Sequence, residues 1–246
     1  MKYRLEIEYF GDGYSGWQTQ EGQRSIAGSL SNALFALCGE RREFVGAGRT
    51  DAGVHALKMT AHVEVEKAIP LANIVPGMNF WLLKNHDSIV VLRATRAAED
   101  FHARFSCKGR EYLYRILARP VRGAISEGRA WWVRKPLDWH AMEDAAQKLV
   151  GRHDFTSLRA AECQAKSPIK TLDSLHVLKK GDFVEIRAKA KSFLHHQVRN
   201  IAGTLKLVGE GKLAAADMAR ILEARDRSAA GPTAPACGLY FVKARY

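Results

Sequence analysis

The sequence predicts an α+β protein whose two halves each carry a mixed, largely antiparallel sheet with helices. Three observations predict it. Short runs of alternating apolar and polar residues are interleaved with helix-period runs, in two successive sets along the chain. A hairpin signal, Lys179-Lys180-Gly181, joins two of the alternating runs. No parallel strand–helix–strand pattern follows the first strand. The divide between the halves falls near Phe101–Phe105, giving an N-terminal half over residues 1–103 and a C-terminal half over 104–246.

Lys2–Tyr9 alternates with period two and reads as a strand. Ser25–Leu37 places Ile26, Leu30, Ala33, Leu34 and Leu37 at helical spacing, and Ser25 stands where an N-cap hydroxyl belongs. Lys58–Glu66 and Ser88–Thr95 read as further strands. Arg110–Leu117 is a strand with Tyr112 and Tyr114 on one face. Leu137–Val150 is a helix with Asp138 as its cap. Thr171–Leu178 and Asp182–Ala188 form the hairpin. Phe193–Val208 and Ala214–Ala224 are helices, Ser228–Pro235 is a surface loop in a stretch rich in alanine, and Gly238–Arg245 ends the chain as a strand.

At 246 residues with 47% hydrophobic and 26% charged residues, the chain can bury a full core of ordinary globular composition. No segment approaches the run of about 18 apolar residues that spans a membrane. Met1–Glu8 alternates like a strand and lacks a leader's apolar core, so the expected location is the cytoplasm. Cys38, Cys107, Cys163 and Cys237 make no Cys-x-x-Cys pair and read as reduced packing residues. The net charge of +12 is unevenly spread. From His102 to Lys135 nine Lys or Arg residues face two acids, Glu111 and Glu127. An excess so concentrated favours a polyanionic partner, nucleic acid first.

Gly46-Ala47-Gly48-Arg49-Thr50-Asp51-Ala52-Gly53-Val54-His55 is the most informative stretch. Its glycines permit turned conformations closed to other residues, and an arginine, a carboxylate and an imidazole sit among them. Read locally, it is equally a turn in which Asp51 caps the next segment and Arg49 meets solvent. Gly11-Asp12-Gly13-Tyr14-Ser15-Gly16 satisfies the dinucleotide spacing Gly-x-Gly-x-x-Gly, but polar Gln18–Arg24 follows where that motif opens a helix. No nucleotide cofactor is expected. His55, His102, His195 and His196 lack carboxylate or cysteine partners at ligand spacing, and the adjacent His195 and His196 fall on different sides of a helix. RNA contact or packing is expected of them, and no metal.

The Arg49–His55 run resembles the first motif of the tRNA pseudouridine synthase A family, in which the aspartate of Arg-Thr-Asp-Ala-Gly-Val-His is catalytic. Four further segments match in order: Tyr14–Gln20, Asp100–Ser106, Asp154–Ser157 and Phe193–Ile201. The resemblance spans essentially the whole chain. It implies two halves meeting at a basic cleft, a homodimer in which one tRNA contacts both subunits, and isomerisation of uridine to pseudouridine at positions 38, 39 and 40 of the anticodon stem-loop.

The same resemblance implies site residues. Asp51 is the catalytic residue, acting as nucleophile at sugar or base, or removing a sugar proton. Burial alone would raise its pKa, so a cation must oppose that. Arg199, beside the apolar stripe of the Phe193–Val208 helix, corresponds to the arginine that pairs with the catalytic aspartate. Tyr112, in Arg110-Glu111-Tyr112-Leu113-Tyr114, corresponds to the active-site tyrosine on which a flipped uracil stacks, while Tyr114 reads as core. Arg49 is expected to fill the vacated helix position or hold a phosphate. The reaction needs no redox change and no energy source, hence no cofactor. Trp17 and Gln18 read as structural.

One segment departs from the family. Asn79-Phe80-Trp81-Leu82-Leu83-Lys84 stands where relatives carry Asn-Ala-x-Leu-Pro, which unsettles the loop expected there. Two other functions compete: a non-catalytic RNA-binding protein on the same scaffold, and a pseudouridine synthase with a different RNA target. Asp51 separates the first, since a pure binder has no use for a carboxylate set against phosphates.

Overall fold

The computed structural model describes all 246 residues, Met1–Tyr246. They fold as two compact units, Met1–Lys108 with Tyr240–Tyr246, and Gly109–Leu239. Each unit combines strands, mostly antiparallel, with helices, the α+β character the sequence predicts.

In the first unit the strands are β1 (Lys2–Tyr9), β2 (Val45–Gly46), β3 (His55–Glu64) and β4 (Ile89–Arg96), joined by β10 (Leu239–Arg245) from the end of the chain. The order is β4-β1-β3-β10, with β2 also on β3. All pairings are antiparallel except β3 with β10, where Tyr240 and Phe241 run parallel to His55 and Ala56. Period-two alternation on β1 buries Tyr3, Leu5, Ile7 and Tyr9 on one face. Tyr3 Oη donates to Ile69 O at 2.6 Å and accepts from Ile69 N at 2.8 Å, so even its polar tip is satisfied.

Helix α1 (Ile26–Cys38) begins, as its sequence predicts, at Ser25, whose hydroxyl accepts from Gly28 N, and it ends at Gly39 in the left-handed region. Helix α2 (Leu71–Lys84) is a correction. The departing Asn79–Lys84 segment is its last turns and no loop. Pro70 and Pro76 disguise it, because an interior proline usually marks a break. Here Ile74, Met78 and Leu82 still bury one stripe, and Gly77 leaves room for the Leu37 side chain of α1 to close in. Asn79 accepts from Val91 N at 2.8 Å and donates to Val91 O at 2.9 Å. It thereby satisfies backbone groups of β4, the edge strand of the order.

In the second unit β5 (Gly109–Ala118) pairs parallel with β6 (Trp131–Val133) and antiparallel with β9 (Phe183–Ala190); β8 (Ile169–Lys180) and β7 (Gly151–Asp154) follow. The predicted β8–β9 hairpin turns at Gly181, φ +59°. Helix α3 (Trp139–Gln147) is capped by Asp138, whose carboxylate accepts from Ala141 N. It packs on β8 and on α4 (Gln197–Gly209), and α5 (Asp217–Ala224) lies by β7. No helix is long and apolar enough to cross a membrane.

Candidate active site

Asp51 lies on the connection from β2 to β3, and neighbours on both sides fix that connection. Ala47 N donates to Thr60 O at 2.7 Å, Trp17 N to Thr50 O at 3.0 Å and Val54 N to Asp51 O at 3.2 Å, closing a turn in which Gly53 takes φ +76°. The Thr50 hydroxyl meets Tyr9 Oη at 2.8 Å in a buried contact. Gly16, at φ +104°, packs so closely that a Cβ there would come within 3.0 Å of Asp51 C and nearer still to Thr50 O. Gly46 likewise admits the Trp17 ring, whose Cε2 would lie 2.7 Å from a Cβ. The Tyr14–Gln20 motif is therefore the wall against which the Asp51 loop is set, and Trp17 is structural as expected.

His55 is a packing residue. It is 1% exposed, its Nδ1 accepts from Gly11 N at 2.9 Å, and its ring stacks on Phe10 at 4.8 Å. Asp51 is half-buried, whereas Arg49 is exposed. A second brace comes from Asp87, which accepts from Tyr14 Oη at 2.9 Å, Ser29 Oγ at 2.7 Å and Arg24 Nη2 at 2.8 Å. Burial first, then the bond to Asp87, pushes the Tyr14 phenol up to about 12.

In the second unit Tyr112 and Tyr114 share a face of β5, opposite Ala188 and Ile186. Tyr112 is met edge-on by Phe193, ring centres 5.1 Å apart. Tyr114 is fully buried and donates to Pro235 O at 2.8 Å. Burial, chiefly, raises its phenol pKa far above the usual range, so it stays protonated. It is core, as its reading from sequence has it.

Arg199 stands in the first turns of α4. Two expectations change here. Phe193–His196 are outside the helix: Leu194 N donates to Gln197 Oε1 at 2.8 Å, and His196, in the left-handed region at φ 58°, is the residue before the first turn. His195 and His196 consequently do not diverge around a helix; their rings lie 3.9 Å apart. The second change is the Ser228–Pro235 loop, which is not a surface feature throughout. Gly231 and Ala234 are buried against α4, where a Cβ on Gly203 would fall within 2.9 Å of Pro232 C.

That loop holds Arg199 at two atoms. Arg199 Nε donates to Ala234 O at 2.8 Å, and Ala234 N donates to Arg199 O at 3.1 Å. Asp154, from another matched motif, also proves structural: its carboxylate accepts from Thr156 N and Oγ1 at 2.9 and 2.6 Å. Burial pushes its pKa up, but the Thr156 donors together with Arg225 and Arg159 outweigh it and leave the group low.

Arg49 and Asp51 thus share one rigid loop of the first unit, while Tyr112 and Arg199 belong to β5 and α4 of the second, two elements that pack on each other. What sequence reading missed is the set of residues under Arg199, namely Asn200, Arg227 and Thr233. The run of small residues before Pro235, beside Gly203 in a helix, was the available signal of close packing.

A family model described as tRNA pseudouridine synthase matches residues 145–246. Curated relatives named tRNA pseudouridine synthase A match over the whole chain. That of Rhodospirillum rubrum is 51% identical over 100% of this chain and 88% of its own. That of Rhodospirillum centenum is 53% identical over 100% of both chains. The Agrobacterium fabrum protein is 49% identical over 100% of this chain and 92% of its own.

Proposed function

Because the chain belongs to the tRNA pseudouridine synthase A family, we propose that it converts uridine to pseudouridine in tRNA, at positions 38, 39 and 40 of the anticodon stem-loop. In this reaction the N1–C1′ bond breaks and a C5–C1′ bond forms. The C5 proton leaves to solvent and N1 takes one up, so the balance closes without redox chemistry or a cofactor.

The observation that carries this reading is the half-buried Asp51 carboxylate on a loop whose backbone is hydrogen-bonded on both flanks. A carboxylate that must act at one atom of a flipped nucleotide gains from such preorganisation, since correct placement supplies a large share of a barrier reduction. Asp51 acts as nucleophile at the sugar or base, or removes a sugar proton. Arg199 corresponds to the arginine that, in the family, pairs with the catalytic aspartate. Tyr112 offers the extruded uracil an aromatic face, worth about 1–3 kcal/mol per base. Arg49, exposed at the loop tip, holds a phosphate or occupies the emptied position in the stem. The net charge of +12 supplies the sequence-independent attraction for tRNA. The working form is a cytoplasmic homodimer.

The test is to map the product. Unmodified tRNA transcripts, incubated with the protein and no added metal or cofactor, are treated with carbodiimide and read by primer extension. New stops at positions 38–40 support the assignment. Stops elsewhere indicate a different target, and tight tRNA binding with no stops a non-catalytic RNA-binding protein.

A further inference from the structure

Arg227 touches none of the residues assigned to the reaction, yet its guanidinium is the hub of the loop that grips Arg199. Nη1 donates to Gly231 O at 2.8 Å, and Nη2 to Thr233 Oγ1 at 3.1 Å and to Asn200 Oδ1 at 3.2 Å. Asn200 is wholly buried; its Oδ1 also accepts from Thr233 Oγ1 at 2.7 Å, and its Nδ2 donates to Leu158 O at 3.2 Å. Gly231 N donates to Thr204 Oγ1 at 3.0 Å, and Thr204 Oγ1 in turn donates to Asn200 O at 2.8 Å. These bonds lock residues 231–233 onto the face of α4 that contains Asn200, Gly203 and Thr204. The next residue, Ala234, carries the carbonyl that receives Arg199 Nε.

We infer that Arg227, with Thr233 and Asn200, is a positioning residue that fixes the orientation of the Arg199 guanidinium. The inference rests on the proposed role of Arg199. The physical reason is the freedom of an arginine side chain, which can point its planar fork in many directions. Fixing Nε on Ala234 O sets the plane of the fork, and so sets where both Nη groups point. Ala234 O can do this only if its loop is immobile, and a loop rich in alanine and glycine has few side chains with which to anchor itself. Arg227 supplies that anchor from beneath. Asn200, one residue after Arg199, ties it to the same turn of helix that presents the fork.

The experiment is a double-mutant cycle on the full chain, reading turnover as tritium release from tRNA labelled at C5 of uridine. Arg199→Lys, which cannot reproduce the fork, is expected to lower kcat strongly. Arg227→Met is expected to lower kcat about 10- to 100-fold, the scale set by small misplacements of a reacting group, with KM for tRNA little changed. Thr233→Val should lower kcat less, and carries the same cycle if Arg227→Met does not fold.

The decisive reading is the second corner of the cycle. In the Arg199→Lys background, Arg227→Met should cost less than about two-fold, because the group it positions is already gone. An equal loss in both backgrounds, or wild-type kcat for Arg227→Met and Thr233→Val beside a slow Arg199→Lys, overturns the inference and leaves the role of Arg199 standing. A wild-type rate for Arg199→Lys overturns that role and the inference with it.

Discussion

Replacing Gly16 by alanine should unseat the Asp51 loop, and Gly13→Ala provides its control. Both glycines have positive φ, +104° at Gly16 and +77° at Gly13, so both substitutions strain the backbone. That strain is worth about 1–3 kcal/mol. They differ in space. Nothing lies within 4 Å of a Cβ on Gly13, whereas on Gly16 it meets Asp51 C at 3.0 Å and Thr50 O closer still. Those are backbone atoms and cannot rotate away, and Thr50 O is the acceptor of the Trp17 N–H. Overpacking adds about 1–3 kcal/mol.

Gly16→Ala should therefore cost about 4 kcal/mol and Gly13→Ala about 2. At roughly 2–4 °C per kcal/mol for a chain of this size, the melting temperatures should fall by about 8–16 °C and 4–8 °C. The same contact must push Asp51 aside, and a shift of about 1 Å can cost about 100-fold in rate. Thermal melting by circular dichroism and single-turnover tritium release read the two effects. If Gly16→Ala melts with Gly13→Ala and turns over like wild type, the bracing of Asp51 by the Tyr14–Gln20 segment is refuted.

Two further predictions concern stability. Asp87→Ala strands the hydroxyls of Tyr14 and Ser29 and loses the ion pair to Arg24. It should cost about 3 kcal/mol in urea unfolding, and a loss below about 1 kcal/mol would show that these bonds are made as well with water. Glu40 accepts from Glu66 N and Lys67 N at 2.9 and 2.8 Å through separate oxygens, which with Arg42 lowers its pKa to about 2. A carboxyl depressed on folding stabilises above its ordinary pKa near 4.5, and that contribution is lost as pH falls towards about 2. Glu40→Gln, whose amide would face one N–H donor with another, should be less stable than wild type at pH 7. The gap should close between pH 4.5 and 2; a gap independent of pH would contradict the reasoning.

Much of the fold was legible because its signals are local. Tyr3, Leu5, Ile7 and Tyr9 alternate on β1, and Ser25 and Asp138 each cap the helix they precede. What escaped depends on partners distant in sequence. The strands β2 and β6, of two and three residues, are too short to carry a period, and nothing in the last strand announces a parallel pairing with β3. Helix α2 was hidden by Pro70 and Pro76, which tertiary packing of Ile74, Met78 and Leu82 tolerates. The start of α4 slipped by four residues because the Leu194–Gln197 turn and the left-handed His196 interrupt an apolar pattern that continues through Leu194.

The candidate site divides in the same way. Asp51, Arg49, Tyr112 and Arg199 are proposed from motifs, which single out chemistry-bearing residues wherever they fold. The bracing is not. Gly16 reads from sequence as part of the dinucleotide-like glycine spacing, and Ser228–Pro235 as a surface loop. Their function is close approach to another backbone, of Thr50 for Gly16 and of Gly203 for Pro232, and composition does not encode the partner of such an approach.

The central claim is that Asp51 performs a uridine isomerisation, and tritium release from tRNA labelled at C5 of uridine tests it most directly. Wild-type protein, without added metal or cofactor, should release tritium; Asp51→Ala should release none while binding tRNA within a few-fold of wild type. Release by Asp51→Ala at a rate comparable to wild type would contradict the account.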